Sequence, residues 1–126
     1  MFHAVWLARE ADATVLLKGS TTLIASPTGN LFSQDDGPSW LATAGSGDVL
    51  AGIAGALMAA GVGAMDAGAM AALVHGLAGL RASDGGPIAS RKIADATPAT
   101  IADLLRLTGS QPGGNHRRRP SGRRPG

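Results

Sequence analysis

Between Asp48 and Asp66 the chain runs through seventeen consecutive uncharged residues, Val49 to Met65, most of them Ala or Gly. A run of this kind either crosses a membrane or packs as a helix whose neighbours come very close. It falls short of the roughly 20 apolar residues that a span needs. Its larger apolar groups are only Val49, Leu50, Ile53, Leu57, Met58, Val62 and Met65, a weak drive for insertion. A close-packed helix away from any membrane is therefore expected. The same economy holds along the whole chain. Of 126 residues, 44% are hydrophobic by type but 3% are aromatic, so the side chains that usually dominate core burial are scarce. The length allows one domain.

Two further properties narrow the class. With no Cys, a disulfide framework, a thiolate metal site and a Cys nucleophile are excluded. The N-terminal residues Met1 to Leu7 lack a basic lead-in and are followed at once by Arg9 and Glu10, which does not read as a signal peptide; a cytoplasmic location is the default. The net charge of +2 hides a division. Arg117, Arg118, Arg119, Arg123 and Arg124 are five of the eleven basic residues and share residues 109–126 with no acidic group. The other six face all nine acidic residues, which leaves residues 1–108 at −3. The Arg, Pro and Gly tail has nothing apolar to bury and is expected to be disordered. Without aromatics to stack on bases, it reads as a solubilising extension rather than a nucleic-acid arm.

Hydrophobic spacing orders the elements. Residues 4–11 look like the end of a helix. Thr14 to Leu17 and Thr22 to Ala25 read as strands, the first buried on both faces, joined by a turn at 19–21. A polar loop covers Ser33 to Ser39. Val49, Leu50, Ile53, Leu57 and Met58 then define a helix ended by Gly61 and Gly63, and Ala67 to Leu80 a second. A third takes Thr97 as N-cap and Pro98 in its first turn, buries Ile101, Leu104 and Leu105, carries Arg106 in its last turn and stops at Gly109. No repeat is visible. Strands followed by helices predict one side of an α/β domain.

Chemistry concentrates in two turns. In Thr43-Ala44-Gly45-Ser46-Gly47-Asp48, two glycines flank a serine at the start of a long apolar helix. Backbone N–H groups there point outward with no Cβ in the way, an arrangement suited to phosphate. It lacks the Gly-Lys-Ser/Thr ending of a Walker loop. Asp48 is the titratable group beside it, able to take a proton from a substrate hydroxyl. The same residues would also serve simply to start a helix, with Ser46 or Asp48 as cap. The second turn, Lys18-Gly19-Ser20-Thr21-Thr22, offers an ammonium and three hydroxyls at a strand end, where α/β proteins commonly bind ligands; alone it would be read as a polar hairpin turn. His75 reads as a packing residue, and Arg91 and Lys92 as solvated loop charges. No metal-ligand cluster is legible.

Leu16-Leu17-Lys18-Gly19, Thr22 to Ala25, the stretch from Trp40 through Gly45-Ser46-Gly47-Asp48-Val49-Leu50-Ala51-Gly52-Ile53, and Val74-His75-Gly76 resemble, in order and spacing, the C-terminal part of the ADP-dependent NAD(P)H-hydrate dehydratases of the ribokinase-like superfamily. The resemblance covers about residues 4–107. It implies an α/β chain that forms the C-terminal part of a ribokinase-like three-layer fold over residues 1–108, a truncated piece expected to be inactive alone. It implies a lyase that uses ADP or ATP, with Mg²⁺, to dehydrate the S epimer of NAD(P)H hydrate, phosphorylating the hydroxyl and eliminating phosphate to give NAD(P)H and AMP. Carried over by motif, Lys18, Gly19, Ser20, Thr21 and Thr22 lie along the nucleotide, Gly47 donates to its phosphate with Gly45 and Ser46 completing the anion hole, and Asp48 acts as base. The expected partners are the hydrate and the nucleotide, with a homo-oligomer left open. Two alternatives stand beside this reading: a ribokinase-like kinase that phosphorylates a small alcohol with ATP, and a non-enzymatic polyanion-binding fragment.

Overall fold

A computed structural model describes residues 2–35 and 37–109, Phe2 by its backbone alone; the expectation of a disordered tail falls on residues 110–126, outside the described residues. Four helices and three strands follow in the order α1 (Phe2–Ala11), β1 (Val15–Leu17), β2 (Thr22–Ala25), β3 (Leu31–Gln34), α2 (Ser46–Ala59), α3 (Ala64–Ser83) and α4 (Ser90–Leu107), with a 3₁₀ turn at Ser39–Leu41 before α2. The strands form one antiparallel sheet in the order β1-β2-β3. Its register aligns Val15, Ala25 and Leu31 across one face and Leu16, Ile24 and Phe32 across the other. The first face receives α1, whose Ala4 and Ala8 pack on Ala25 with Val15, Leu23 and Leu31 around them. On the second, Ile24 meets α3 where Gly68 leaves room: a Cβ at Gly68 would lie 3.0 Å from Ile24 Cγ2. The result is three layers, α1, the sheet and α3, with α2 and α4 packed against α3.

The uncharged run is broken as its glycines imply. After Ala59, Gly61 adopts φ 95°; its N–H donates to Met58 O at 3.0 Å and that of Val62 to Leu57 O at 3.0 Å, closing α2 in a Schellman motif. No helix among the described residues is long and apolar enough to cross a membrane.

The core is built from small residues. Ala67, Gly68, Ala71, Ala72, Gly76, Ala78 and Gly79 are all buried on α3, and the largest fully buried side chains are Ile24, Ile93 and Ser46. Trp6 and Trp40 are 59% and 45% exposed, so neither tryptophan serves as a core anchor. Leu41 instead acts as the knob of the 3₁₀ turn: a Cβ at Gly79 would lie 2.5 Å from its Cδ2, and one at Gly37 2.6 Å from its Cδ1.

Four expectations are corrected. Helix α4 begins at Ser90, not Thr97, so Arg91 and Lys92 sit in its first turn and Pro98 lies inside it; Thr97 donates from Oγ1 back to Ile93 O at 2.9 Å instead of capping. Ile101 and Leu105 of α4 are 39% and 43% exposed, not buried, because the face packed on α3 is the one that holds Ile93 and Thr100. A third strand, β3, occupies part of the expected polar loop. Strand β1 pairs on one side only and is half-buried to exposed rather than covered on both faces. On the surface, Arg81 of α3 donates to Asp103 of α4 at 2.5 Å and holds its carboxyl below the usual range; an exposed pair of this kind contributes little to stability.

The small-residue packing has a direct test. Gly79→Val drives a branched side chain into Leu41 and is expected to cost about 1–3 kcal/mol. Gly55→Ala, at a mid-helix glycine with nothing within 4 Å, is expected to gain about 1 kcal/mol from helix propensity. Urea unfolding of both variants reads the two signs.

Candidate functional site

The Lys18 turn ends β1 at the open end of the sheet. Lys18, Gly19, Ser20 and Thr22 form one wall of a cavity of about 610 Å³, and Leu41 from the 3₁₀ turn and His75 from α3 form others. Thr21 is exposed and does not line it. The Lys18 side chain is held, not free: Nζ donates to Leu41 O at 3.2 Å. That bond ties the strand end to the turn whose leucine is wedged between Gly37 and Gly79.

The glycine turn stands next to this cavity without lining it. Gly45 is the N-cap of α2 with φ 82°, a left-handed conformation that favours glycine, and a Cβ there would sit 2.8 Å from Ser90 Oγ at the start of α4. Ser46 N–H donates to Thr43 O at 3.1 Å and Val49 N–H to Gly45 O at 3.2 Å. Between them, the N–H groups of Gly47 and Asp48 have no acceptor among the described residues. Both residues are exposed, and Gly47 faces open space, with nothing within 4 Å of a Cβ built there. Two outward amides at a helix N-terminus, beside a carboxylate, can receive an anion and a proton together.

Ser46 departs from its expected place. Its side chain is fully buried and its N–H is spent on Thr43, so it offers neither donor to a phosphate. The residue that meets it is His75: Nε2 lies 3.0 Å from Ser46 Oγ and 3.0 Å from Ser46 O. His75 thereby joins the two turns, lining the cavity with Lys18 while holding the start of α2. Its spacing of 29 residues from Ser46 and its position on an apolar helix face gave no local signal beyond its being polar where the neighbours are not. A second groove, about 460 Å³ between α2 and α4, is lined by Val49, Gly52, Ile53, Ala56, Leu57, Ala94, Thr97 and Ile101 and brings no charged groups together.

Burial pushes the His75 imidazole below its usual range, Lys18 adds to the shift, and the hydrogen bond to Ser46 opposes it. A folded-state pKa below that of the unfolded chain means the unfolded chain binds the proton first. The stability from a neutral His75 is therefore complete above the ordinary imidazole pKa, about 6.5, and is lost as pH falls through the lowered folded value. The melting temperature is expected to fall between pH 7.5 and pH 5, and His75→Gln to reduce that slope in a thermal melt series.

Comparison with known proteins shows the family. A family model described as NAD(P)H-hydrate dehydratase matches residues 3–99. The bifunctional NAD(P)H-hydrate repair enzyme of Mycobacterium leprae is 56% identical over 82 residues, 64% of this chain and 17% of that protein. The ADP-dependent (S)-NAD(P)H-hydrate dehydratase of Neisseria meningitidis is 52% identical over 66 residues, 52% of this chain and 22% of that protein. The chain thus spans less than a quarter of the length of these relatives. Among solved structures, the ADP/ATP-dependent NAD(P)H-hydrate dehydratase from Bacillus subtilis, co-crystallised with ATP and Mg²⁺, superposes with a TM-score of 0.75 at 24% identity, covering 82% of this chain and 38% of that one. That likeness carries the fold, the ribokinase-like one. The chain belongs to the NAD(P)H-hydrate dehydratase family.

Proposed function

We propose that residues 1–108 are the part of an NAD(P)H-hydrate dehydratase domain that holds the adenine nucleotide and offers its phosphate to the substrate. The activity is the ADP- or ATP-dependent dehydration of the S epimer of NAD(P)H hydrate. The observation that carries this reading is the meeting of the Lys18 wall and the glycine turn around one residue, His75. A nucleotide needs donors from more than one element to fix its orientation, and these are the two donor-rich turns of the chain. The cavity, at about 610 Å³, lies within the range typical of small-molecule sites. The family model and the names of the relatives favour the dehydratase over a small-alcohol kinase with the same glycine-Asp signature.

In this reading Lys18, Gly19, Ser20 and Thr22 run along the nucleotide, with Thr21 outside the cavity, Gly45 shaping the turn and the N–H of Gly47 meeting the phosphate. The Asp48 carboxylate takes the proton as the hydrate's hydroxyl oxygen bonds to the terminal phosphorus of ADP and AMP departs. The C–O bond to the new phosphate ester then breaks, phosphate leaves with the electron pair, and the adjacent ring carbon gives its proton to water, restoring the dihydronicotinamide double bond. Stabilisation of the phosphoryl charge by fixed amides and by Lys18 is the main contribution the protein makes to such a transfer. Among the described residues no group of three or more His, Asp or Glu could cage a metal ion. The donor set instead fits Mg²⁺ carried on the nucleotide's phosphates, which typically keeps several waters and takes only one or two carboxylates; it would supply charge neutralisation there.

Calorimetric titration of the chain with ADP and Mg²⁺ tests the nucleotide half. Gly47→Val places a branched side chain in the open mouth of the turn, and is expected to weaken ADP binding by about tenfold or more, the loss of about one charge-assisted hydrogen bond, with an unchanged melting temperature. A folded chain with no affinity for ADP would remove the nucleotide site from this part of the domain. In a complete enzyme carrying the same motif, Asp48→Asn is expected to lower dehydration by about 10²-fold or more while ADP still binds; turnover at the parent rate would exclude Asp48 as base.

A further inference from the structure

The start of α2 lacks the means by which helix starts are usually fixed. Its N-cap is a glycine with no side-chain cap bond, so no Ser, Thr, Asp or Asn oxygen takes up a first-turn N–H. Gly45 and Gly47 also leave the backbone with more freedom than any other residue type. Yet a turn that receives phosphate with Gly47 and Asp48 must hold those N–H groups in one direction, since amides stabilise charge best when already oriented. The restraint comes from outside the helix. His75, 3% exposed and carried on α3 between small residues packed on other elements, reaches both the hydroxyl and the carbonyl of Ser46 at 3.0 Å.

The chemistry of those two contacts settles the ring's tautomer. A backbone carbonyl can only accept, so Nε2 must carry the hydrogen. In the neutral ring Nδ1 is then the bare nitrogen. Among the described residues Nδ1 has no hydrogen bond, and since no buried side-chain nitrogen or oxygen there lacks a partner, it is not sealed in the core; His75 itself lines the cavity with Lys18.

We propose that His75 is a positioning residue for the phosphate-binding turn: by donating from Nε2 to Ser46 it fixes the first turn of α2, and with it the direction of the Gly47 and Asp48 N–H groups. The role rests on the nucleotide reading of that turn. It acts through Ser46 and needs no contact between His75 and phosphate.

The experiment is amide hydrogen exchange on the ligand-free chain, followed by ADP titration, in His75→Leu, His75→Gln and His75→Asn. The Val49 amide, whose bond to Gly45 O closes the first turn, reports the clamp. His75→Leu is expected to speed its exchange by about tenfold, as for loss of one or two hydrogen bonds, with amides in the middle of α3 unchanged, and to weaken ADP by a similar factor. Gln can place an N–H where Nε2 stands and is expected to restore both within about threefold. Asn is as polar but too short, and is expected to behave as Leu does, so a fold lost in the Leu variant leaves the Gln and Asn pair to decide. Nitrogen-15 shifts of the wild-type ring at neutral pH are expected to show a protonated Nε2 and a bare Nδ1. Val49 exchange equal to wild type in folded His75→Leu or His75→Asn would overturn the proposal, as would a bare Nε2. Faster exchange in those variants with no ADP affinity in any of the proteins would uphold the clamp and overturn the nucleotide reading instead.

Discussion

Close approach to α3 is the constraint on which the rest of this molecule depends. A chain poor in large apolar side chains cannot gain much from any one residue, because burial stabilises in proportion to the area removed from water. It gains by bringing backbones near one another, so that many small contacts add. Gly68 admits Ile24 of the sheet, Gly79 and Gly37 admit Leu41 of the 3₁₀ turn, and Ala78 packs with Ile88 and Ile93 on the α4 side. A methyl group added at Gly79 collides with the half-buried Leu41, and one at Gly68 presses on the fully buried Ile24. The helix therefore works as a template whose shape is set by what is missing from it.

That template also places the site. Leu41, wedged against Gly79, presents the carbonyl that holds Lys18; His75, less than two turns along the same helix, holds Ser46. The strand-end turn and the glycine turn are separated by more than twenty residues and make no ladder together, yet both are referred to α3. A polar group buried on a helix whose buried face is mostly Ala and Gly costs free energy unless it is bonded. The two contacts to Ser46 offset that cost, and no buried side-chain nitrogen or oxygen among the described residues lacks a partner, while the outward amides of Gly47 and Asp48 stay open to a ligand.

What could be read from the sequence follows from the range of the physics involved. The breaks at Gly61 and Gly109, the Lys18 and glycine turns, and the presence of two helices carrying Asp48 and Asp66 in their first turns depend on local chemistry within a few residues; the second of these helices runs three residues further at each end than Ala67 to Leu80. The misplacements have nonlocal causes. Thr97-Pro98 is a good helix start by local rules, but Ile93 packs against α3 and extends α4 back to Ser90, with the Thr97 hydroxyl turned onto the previous turn's carbonyl. Strand β3 has only Leu31 and Phe32 as apolar residues and exists because β2 offers it an edge. Likewise the spacing of Ile101 and Leu105 looks like a buried stripe, while the α3 contact selects another face.

His75 shows why the site was less legible than the fold. A histidine among alanines on a helix is well described as a satisfied packing residue, and here that description is true: it is buried, neutral by preference and hydrogen-bonded. The same facts make it suited to hold Ser46, because only a buried ring with its tautomer set by a carbonyl acceptor keeps one geometry. Packing and positioning are one state of the residue, and they differ only in what stands on the far side of its bond. On that side is not another core atom but the uncapped start of α2, with two amides turned outward. Sequence spacing cannot distinguish the two cases, since the distinguishing fact is the partner's place in the fold.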